Sequence, residues 1–420
     1  MPNDRMFRYE CVLLAALVSA LTVGAWWIYP TWDDGRLLYW SSRLGEANIY
    51  YNYGDRPLLA YLYIFLFRHQ IFQPVALASH FISWLAMGLI TMRFWRLIFP
   101  AHAQFALLPA LLSVAPVVAK CQLATFTIVF PVMAGPLLIF VAVFLILSGP
   151  TSLTRRFLLR GVALVFIAFA VLITNYAVTT AAAAFVVITA AAFKSPLQRK
   201  RELLAMAGLT ALVTLSSYAT FCWITQSTAT PEYRPGYALT SMSWKIEVVP
   251  FRWLAALWRS TIGGVLESLG AVTLNTKITL LSFICGLAFA GLVALVVGKN
   301  SIVSAKSRDN LFSFVTLLIA SALALLPVFL MGRTLEVRWD TRFILPILPV
   351  LSSLMVFILL IVIRKRLWIL VPVLCGFLAA YWTTYEILNA VRHPEPVVLL
   401  PRQDGTGADR FNVDAAIGRS

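Results

Sequence analysis

Eleven separate stretches of this sequence stay apolar over about 20 residues, the length a helix needs to cross a bilayer, and that pattern leaves few folds open. Their cores run over 10–29, 72–92, 103–119, 124–148, 157–174, 177–193, 203–226, 277–298, 311–331, 343–363 and 367–389. Of the 420 residues 60% are hydrophobic and only 12% charged, more apolar surface than a single water-soluble core can use. The expected fold is therefore an all-α, polytopic membrane protein. The first run ends in Trp26-Trp27-Ile28-Tyr29-Pro30 rather than in small residues, so it reads as a retained span and not as a cleaved leader. Cys11, Cys121, Cys222, Cys285 and Cys375 form no CxxC and lie in or beside apolar runs, where small buried hydrophobes are expected.

A net charge of +16 would suggest nucleic acid as a partner for a soluble domain, so the placement of the basic residues has to be settled first. With the N-terminus inside, six short inner segments hold half of the 34 Lys and Arg but only Asp4, Glu10, Glu202 and Asp309 of the 18 acids. Basic residues in short inner loops set orientation, so the positive excess belongs to topology and anionic lipid, and nucleic acid drops out. The expected location is a bacterial inner membrane, with the N-terminus cytoplasmic and the C-terminus outside. Residues 1–389 then form one transmembrane domain with outer loops at 30–71, 227–276 and 332–342. Residues 390–420 form a polar outer tail, flexible from Arg402 on. Asn175 and Tyr176 mark a turn between two spans.

The outer loops carry the unusual chemistry. Asp33-Asp34-Gly35 opens the first loop directly after a span rich in aromatic residues; the same residues would also serve as a turn and helix cap. Leu37, Leu38, Trp40 and Leu44, set among Arg36, Arg43 and Glu46, read as an interfacial amphipathic helix. Pro57–Phe67 reads as a second helix too short to span, and Trp244 to Arg259 repeats the interfacial style. Asn52-Tyr53-Gly54-Asp55-Arg56-Pro57-Leu58 forms a further polar cluster. Arg333, Glu336, Arg338, Asp340 and Arg342 crowd against Phe343-Ile344-Leu345-Pro346-Ile347-Leu348-Pro349, at the depth of a lipid phosphate.

In these residues the chain resembles the GT-C superfamily of membrane glycosyltransferases, which use polyprenyl-phosphate-linked sugars. The layout is similar: a first span, an acidic pair opening a long outer loop, a short helix beginning with Pro, and a return to a basic inner turn. The Arg342–Pro349 stretch looks like the entry to a late span in many such enzymes. The acidic pair with Gly54-Asp55-Arg56-Pro57-Leu58 is most similar to bacterial enzymes that add glucose to O-antigen or other surface polysaccharide. The resemblance implies transfer of a sugar from a polyprenyl-phosphate donor to a surface glycan or glycolipid, at the outer face and with inversion.

Such a reaction needs a base on the acceptor hydroxyl and cations on the departing phosphate. Asp33 or Asp34 can supply the base, and a carboxylate also favours oxocarbenium charge. Arg338 and Arg342, four residues apart, can grip phosphate, with Arg56 or Lys277 assisting. The other reading of these arginines is headgroup anchoring. Asn52, Asp55, Glu336 and Asp340 are expected to contact sugar or acceptor. His69, His80, His102 and His393 lack metal-ligand spacing, and no cofactor is assigned; a carboxylate-held divalent cation would be compatible with the aspartates, but two adjacent Asp are a weak metal signal. Two other functions stay open: a transporter or flippase of lipid-linked sugar, and a polysaccharide polymerase or ligase. A transporter would place polar groups near the midplane of broken helices, whereas here the charges gather at one face.

Overall fold

The computed structural model describes residues 4–22, 37, 41, 45–46, 49, 57–120, 126–148, 152–174, 177–228, 276–297, 307–330, 348–363, 368–392, 397–401 and 408–412. Every expected apolar run coincides at least in part with a helix. These are α1 (Asp4–Thr22), α3 (Phe72–Ile98), α4 (Leu107–Lys120), α5 (Phe126–Leu147), α6 (Leu153–Ile173), α7 (Ala177–Phe193), α8 (Leu197–Thr228), α9 (Thr276–Val297), α10 (Ser307–Leu330), α11 (Leu348–Phe357) and α12 (Leu370–Arg392). Between α1 and α3 lies the short α2 (Pro57–Arg68), one residue longer than the expected non-spanning helix. To the all-α expectation the tail adds a two-stranded antiparallel ribbon, β1 (Val397–Pro401) and β2 (Ala408–Asn412), in which Leu399 pairs with Arg410.

Among the described residues, four helical stretches are long and apolar enough to cross a membrane: Pro74–Ile98, Thr154–Ile173, Leu197–Ile224 and Lys277–Val297. Large apolar side chains point outward from them, among them Leu212, Leu215 and Trp223 on α8 and Leu280, Phe283 and Leu295 on α9. A water-soluble protein rarely exposes so continuous an apolar surface. The chain is thus a membrane-associated helical protein.

Several boundaries differ from expectation, and for one reason. Helices α1 and α8 each begin about one turn or more before their expected apolar cores, and in each the carboxylate at the edge of that core, Glu10 or Glu202, finds a partner. Glu10 on α1 takes a charge-assisted hydrogen bond from Arg96 on α3, whose guanidinium also lies 5.0 Å from the Phe7 ring centre. Glu202 on α8 accepts from Arg160 on α6 at 2.8 Å, with Arg156 at 3.5 Å. Paired in this way, polar residues extend a helix instead of ending it. The tenth apolar run changes form, α11 passing into a π-helical turn over Ile358–Ile363. The break expected near Asn175 falls between α6 and α7, where Thr174 is extended (φ −152°, ψ 135°).

In lipid, helices gain little from hiding apolar surface, so close packing and interhelical polar contacts must hold them together. Helix α7 packs against α5, α8 and α10 through buried Ala177, Ala181, Ala183, Ala184 and Ala192. Thr91 on α3 donates to Ser113 on α4 at 3.2 Å. Helices α9 and α12 approach most closely at Gly286 and Gly376. A Cβ on Gly286 would lie 2.6 Å from the Val373 carbonyl oxygen and 3.0 Å from the Phe377 nitrogen, both backbone atoms that cannot swing away. Gly286→Val is therefore expected to force the helices apart and cost about 1–3 kcal/mol, the usual range for overpacking. Thermal unfolding in detergent would read this as a lowered Tm. An unchanged Tm would mean that the two helices are not packed this closely.

Candidate functional site

Contacts among the described residues fix which helix ends lie together. At one end, Lys194 near the close of α7 donates to Ser313 on α10 at 3.0 Å, and Ser313 donates to the Ile98 carbonyl of α3 at 3.1 Å. Arg199 of α8 donates to the Leu147 carbonyl of α5 at 2.8 Å. Phe357 on α11 stacks on Phe99 and Phe314, and Phe105 meets Trp368 just before α12. With the two Glu–Arg pairs above, this end is tied shut by charges and aromatic rings. It is the end expected from the basic residues to be inner.

At the opposite end lie the close of α1, the starts of α3 and α11, and the close of α8, α10 and α12. Thr383 of α12 donates there to the Ala20 carbonyl of α1. The segments carrying the proposed catalytic groups leave from and return to these ends. Asp33, Asp34, Asn52, Asp55, Arg56, Glu336, Arg338, Asp340 and Arg342 themselves lie outside the described residues, as does the interfacial stretch expected over Trp244 to Arg259. Lys277 is described: it is exposed, at the second position of α9.

Part of the expected first outer loop is described, and with α2 it roofs the start of α3. Leu37 and Ile49, three residues along the chain from Asp34 and Asn52 respectively, are buried. They join Leu59, Tyr63 and Leu66 of α2 and Phe72, Ala76 and Leu77 of α3 in one apolar cluster, with Phe130 of α5 packed against it. Pro57 opens α2, where its missing N–H costs nothing and its fixed φ suits a helix. Gly45, at φ +70°, donates its N–H to the Ser41 carbonyl, a left-handed helix cap that a residue with a Cβ would adopt under strain. Beyond it, Glu46 receives two hydrogen bonds from the Arg68 guanidinium at the close of α2, the Nη2 contact at 2.7 Å. The Arg68 hydrogen bond holds the Glu46 carboxyl below the ordinary carboxylate range. A depressed pKa means that this clip contributes fully above the unfolded value and is lost as pH falls through the folded one.

No group of three or more His, Cys, Asp or Glu that could hold a metal occurs among the described residues. Cys11, Cys222, Cys285 and Cys375 are free thiols. Cys375 is buried as expected, but Cys285 is exposed on α9, on an apolar surface suited to lipid. One feature escaped the reading of the sequence. His80 and Trp84, one turn apart on α3, are buried with ring nitrogens that have no partner. Compared with protein-family models, curated proteins and solved structures, the chain matches none.

Proposed function

We propose that this protein is a membrane glycosyltransferase of the GT-C kind, with eleven spans, that moves a sugar from a polyprenyl-phosphate donor to a surface glycan or glycolipid. One observation carries the reading. The helix ends that flank the charged outer segments gather at a single end of the bundle, while the opposite end is tied by Glu10–Arg96 and Glu202–Arg160. On the described helices, Asp, Glu, Lys and Arg lie within about two turns of an end, counting 3.6 residues per turn. That favours chemistry at a membrane surface over an ion or sugar path through the midplane, which a transporter needs.

In this mechanism Asp33, or Asp34 in its place, removes the proton from the acceptor hydroxyl as that oxygen attacks the anomeric carbon. The bond from that carbon to the phosphate oxygen breaks, and the electron pair leaves with the phosphate. Arg338 and Arg342 take up the charge on the departing polyprenyl phosphate, with Arg56 or Lys277 assisting. A single displacement inverts the anomeric centre. Asn52, Asp55, Glu336 and Asp340 orient sugar or acceptor. The reaction belongs at the outer face of a bacterial inner membrane.

Transfer of radiolabel from a panel of polyprenyl-phosphate sugars into glycan, using membranes that contain the protein, tests this reading. Incorporation from one donor is expected, and none from any donor would overturn it. Arg338→Ala and Arg342→Ala should each raise KM for the lipid donor about tenfold or more, with Arg→Lys recovering only part because the bidentate fork is lost. Unchanged donor kinetics in both alanine variants would assign these arginines to headgroup anchoring. Cysteine labelling should find positions 34, 240, 338 and 410 outside and 96, 155, 200, 304 and 365 inside. Asp34 and Lys200 on one side would contradict the topology.

A further inference from the structure

The outer half of α3 holds two polar atoms that a membrane helix would not leave unmet without cause. His80 is 8% exposed and its Nδ1 has no hydrogen-bond partner; Trp84 is fully buried and its Nε1 is likewise unpartnered. Four residues apart, they share one helix face, with ring centroids 6.3 Å apart and planes at 87°. The same helix satisfies its other buried indole, since Trp95 Nε1 donates to the His102 carbonyl at 2.7 Å. Unmet groups of this sort destabilise the fold, and more so where no water reaches them.

Their place in the fold narrows what could complete them. At 1.5 Å per residue His80 lies about 12 Å along α3 from Phe72, and Trp84 about 18 Å, so both sit beneath the roof formed by α2. An indole N–H only donates, whereas a neutral imidazole nitrogen can accept. Sugar hydroxyls meet both needs, accepting from Trp84 and donating to His80. With Nδ1 as the accepting nitrogen a phosphate could satisfy only Trp84; with Nδ1 protonated it could accept from both, which is why bare polyprenyl phosphate is one of the two probes below. A lone His is no metal site. Ring edges beside a hydroxyl-binding pair suit a sugar.

We propose that His80 and Trp84 form a hydroxyl-recognition subsite beneath the α2 roof, and that it takes the sugar of the lipid-linked donor. This rests on the transferase reading above. The pair discriminates a sugar-bearing lipid from the spent polyprenyl phosphate, which lacks those hydroxyls. Binding therefore favours the substrate over the product of the same site.

The test uses the full-length protein in lipid nanodiscs and two probes, radiolabelled polyprenyl-phosphate glucose and polyprenyl phosphate without sugar. His80→Phe and Trp84→Phe should each weaken binding of the sugar-bearing probe about tenfold, with the bare lipid bound as before. Together they should lose less than the product of the two, because both act on one sugar. His80→Gln, which restores a donor and an acceptor, should recover most of the loss. Unchanged binding of both probes in the two Phe variants would overturn the subsite, leaving a buried water as the partner of the pair. Equal loss for both probes would also overturn it, as a defect in folding or in the lipid-tail site. The broader reading fails separately: wild-type protein that binds neither probe and transfers no sugar would remove both proposals. Wild-type transfer with unaffected variants would remove only this one.

Discussion

Asp33→Asn is expected to slow sugar transfer by about 10² to 10⁴, the usual contribution of a positioned general base. Asparagine keeps the size and one oxygen of the side chain but no longer accepts the proton. Asp34 precedes Gly35, where a turn and cap former is wanted, so Asp34→Asn should cost less in rate or act through folding. Initial rates on correctly inserted protein, normalised to folded enzyme, give the comparison. Near-normal transfer by Asp33→Asn with loss in Asp34→Asn would exchange the two roles, and near-normal transfer in both would sink the base mechanism.

The second large effect concerns the opposite end of the bundle. Glu10 is 5% exposed and Arg96 20%, and they join α1 to α3. Glu10→Gln leaves the guanidinium largely buried without its countercharge, and removing one partner of such a pair costs about 3–5 kcal/mol. A fall of several degrees or more in Tm is expected. The double variant Glu10→Gln, Arg96→Gln should recover part of it, since no uncompensated charge then remains. A single variant as stable as the wild type would show that water or lipid headgroups already satisfy Arg96.

Much of this architecture was readable in the residues because the bilayer reduces the problem to length and apolarity. Pro57 with its apolar run was enough to locate α2, and Asn175-Tyr176 was enough to separate α6 from α7. The extra turns of α8 were not readable, because Glu202 there depends on Arg160 arriving from another helix. Cys285 was misplaced by a rule suited to water, in which apolar means inside; against lipid the rule has no force. The tail ribbon had a signal in Val397-Val398-Leu399-Leu400 and Asp404-Gly405, a turn dipeptide between the two paired stretches, but general polarity outweighed it. His80 was dismissed because metal-ligand spacing is sought between His, Cys and acids. Its lack of a partner is a property of packing, which no spacing rule reports.

In the proposed reaction, lipid-linked sugar is consumed by transfer rather than moved across the bilayer. Purified protein in proteoliposomes, given radiolabelled polyprenyl-phosphate sugar in the leaflet on the outer side and a glycan acceptor in the same compartment, measures this directly. The account predicts that label becomes covalently joined to glycan, with inverted anomeric configuration, and that this depends on Asp33. Label that stays lipid-linked and appears in the opposite leaflet would contradict it.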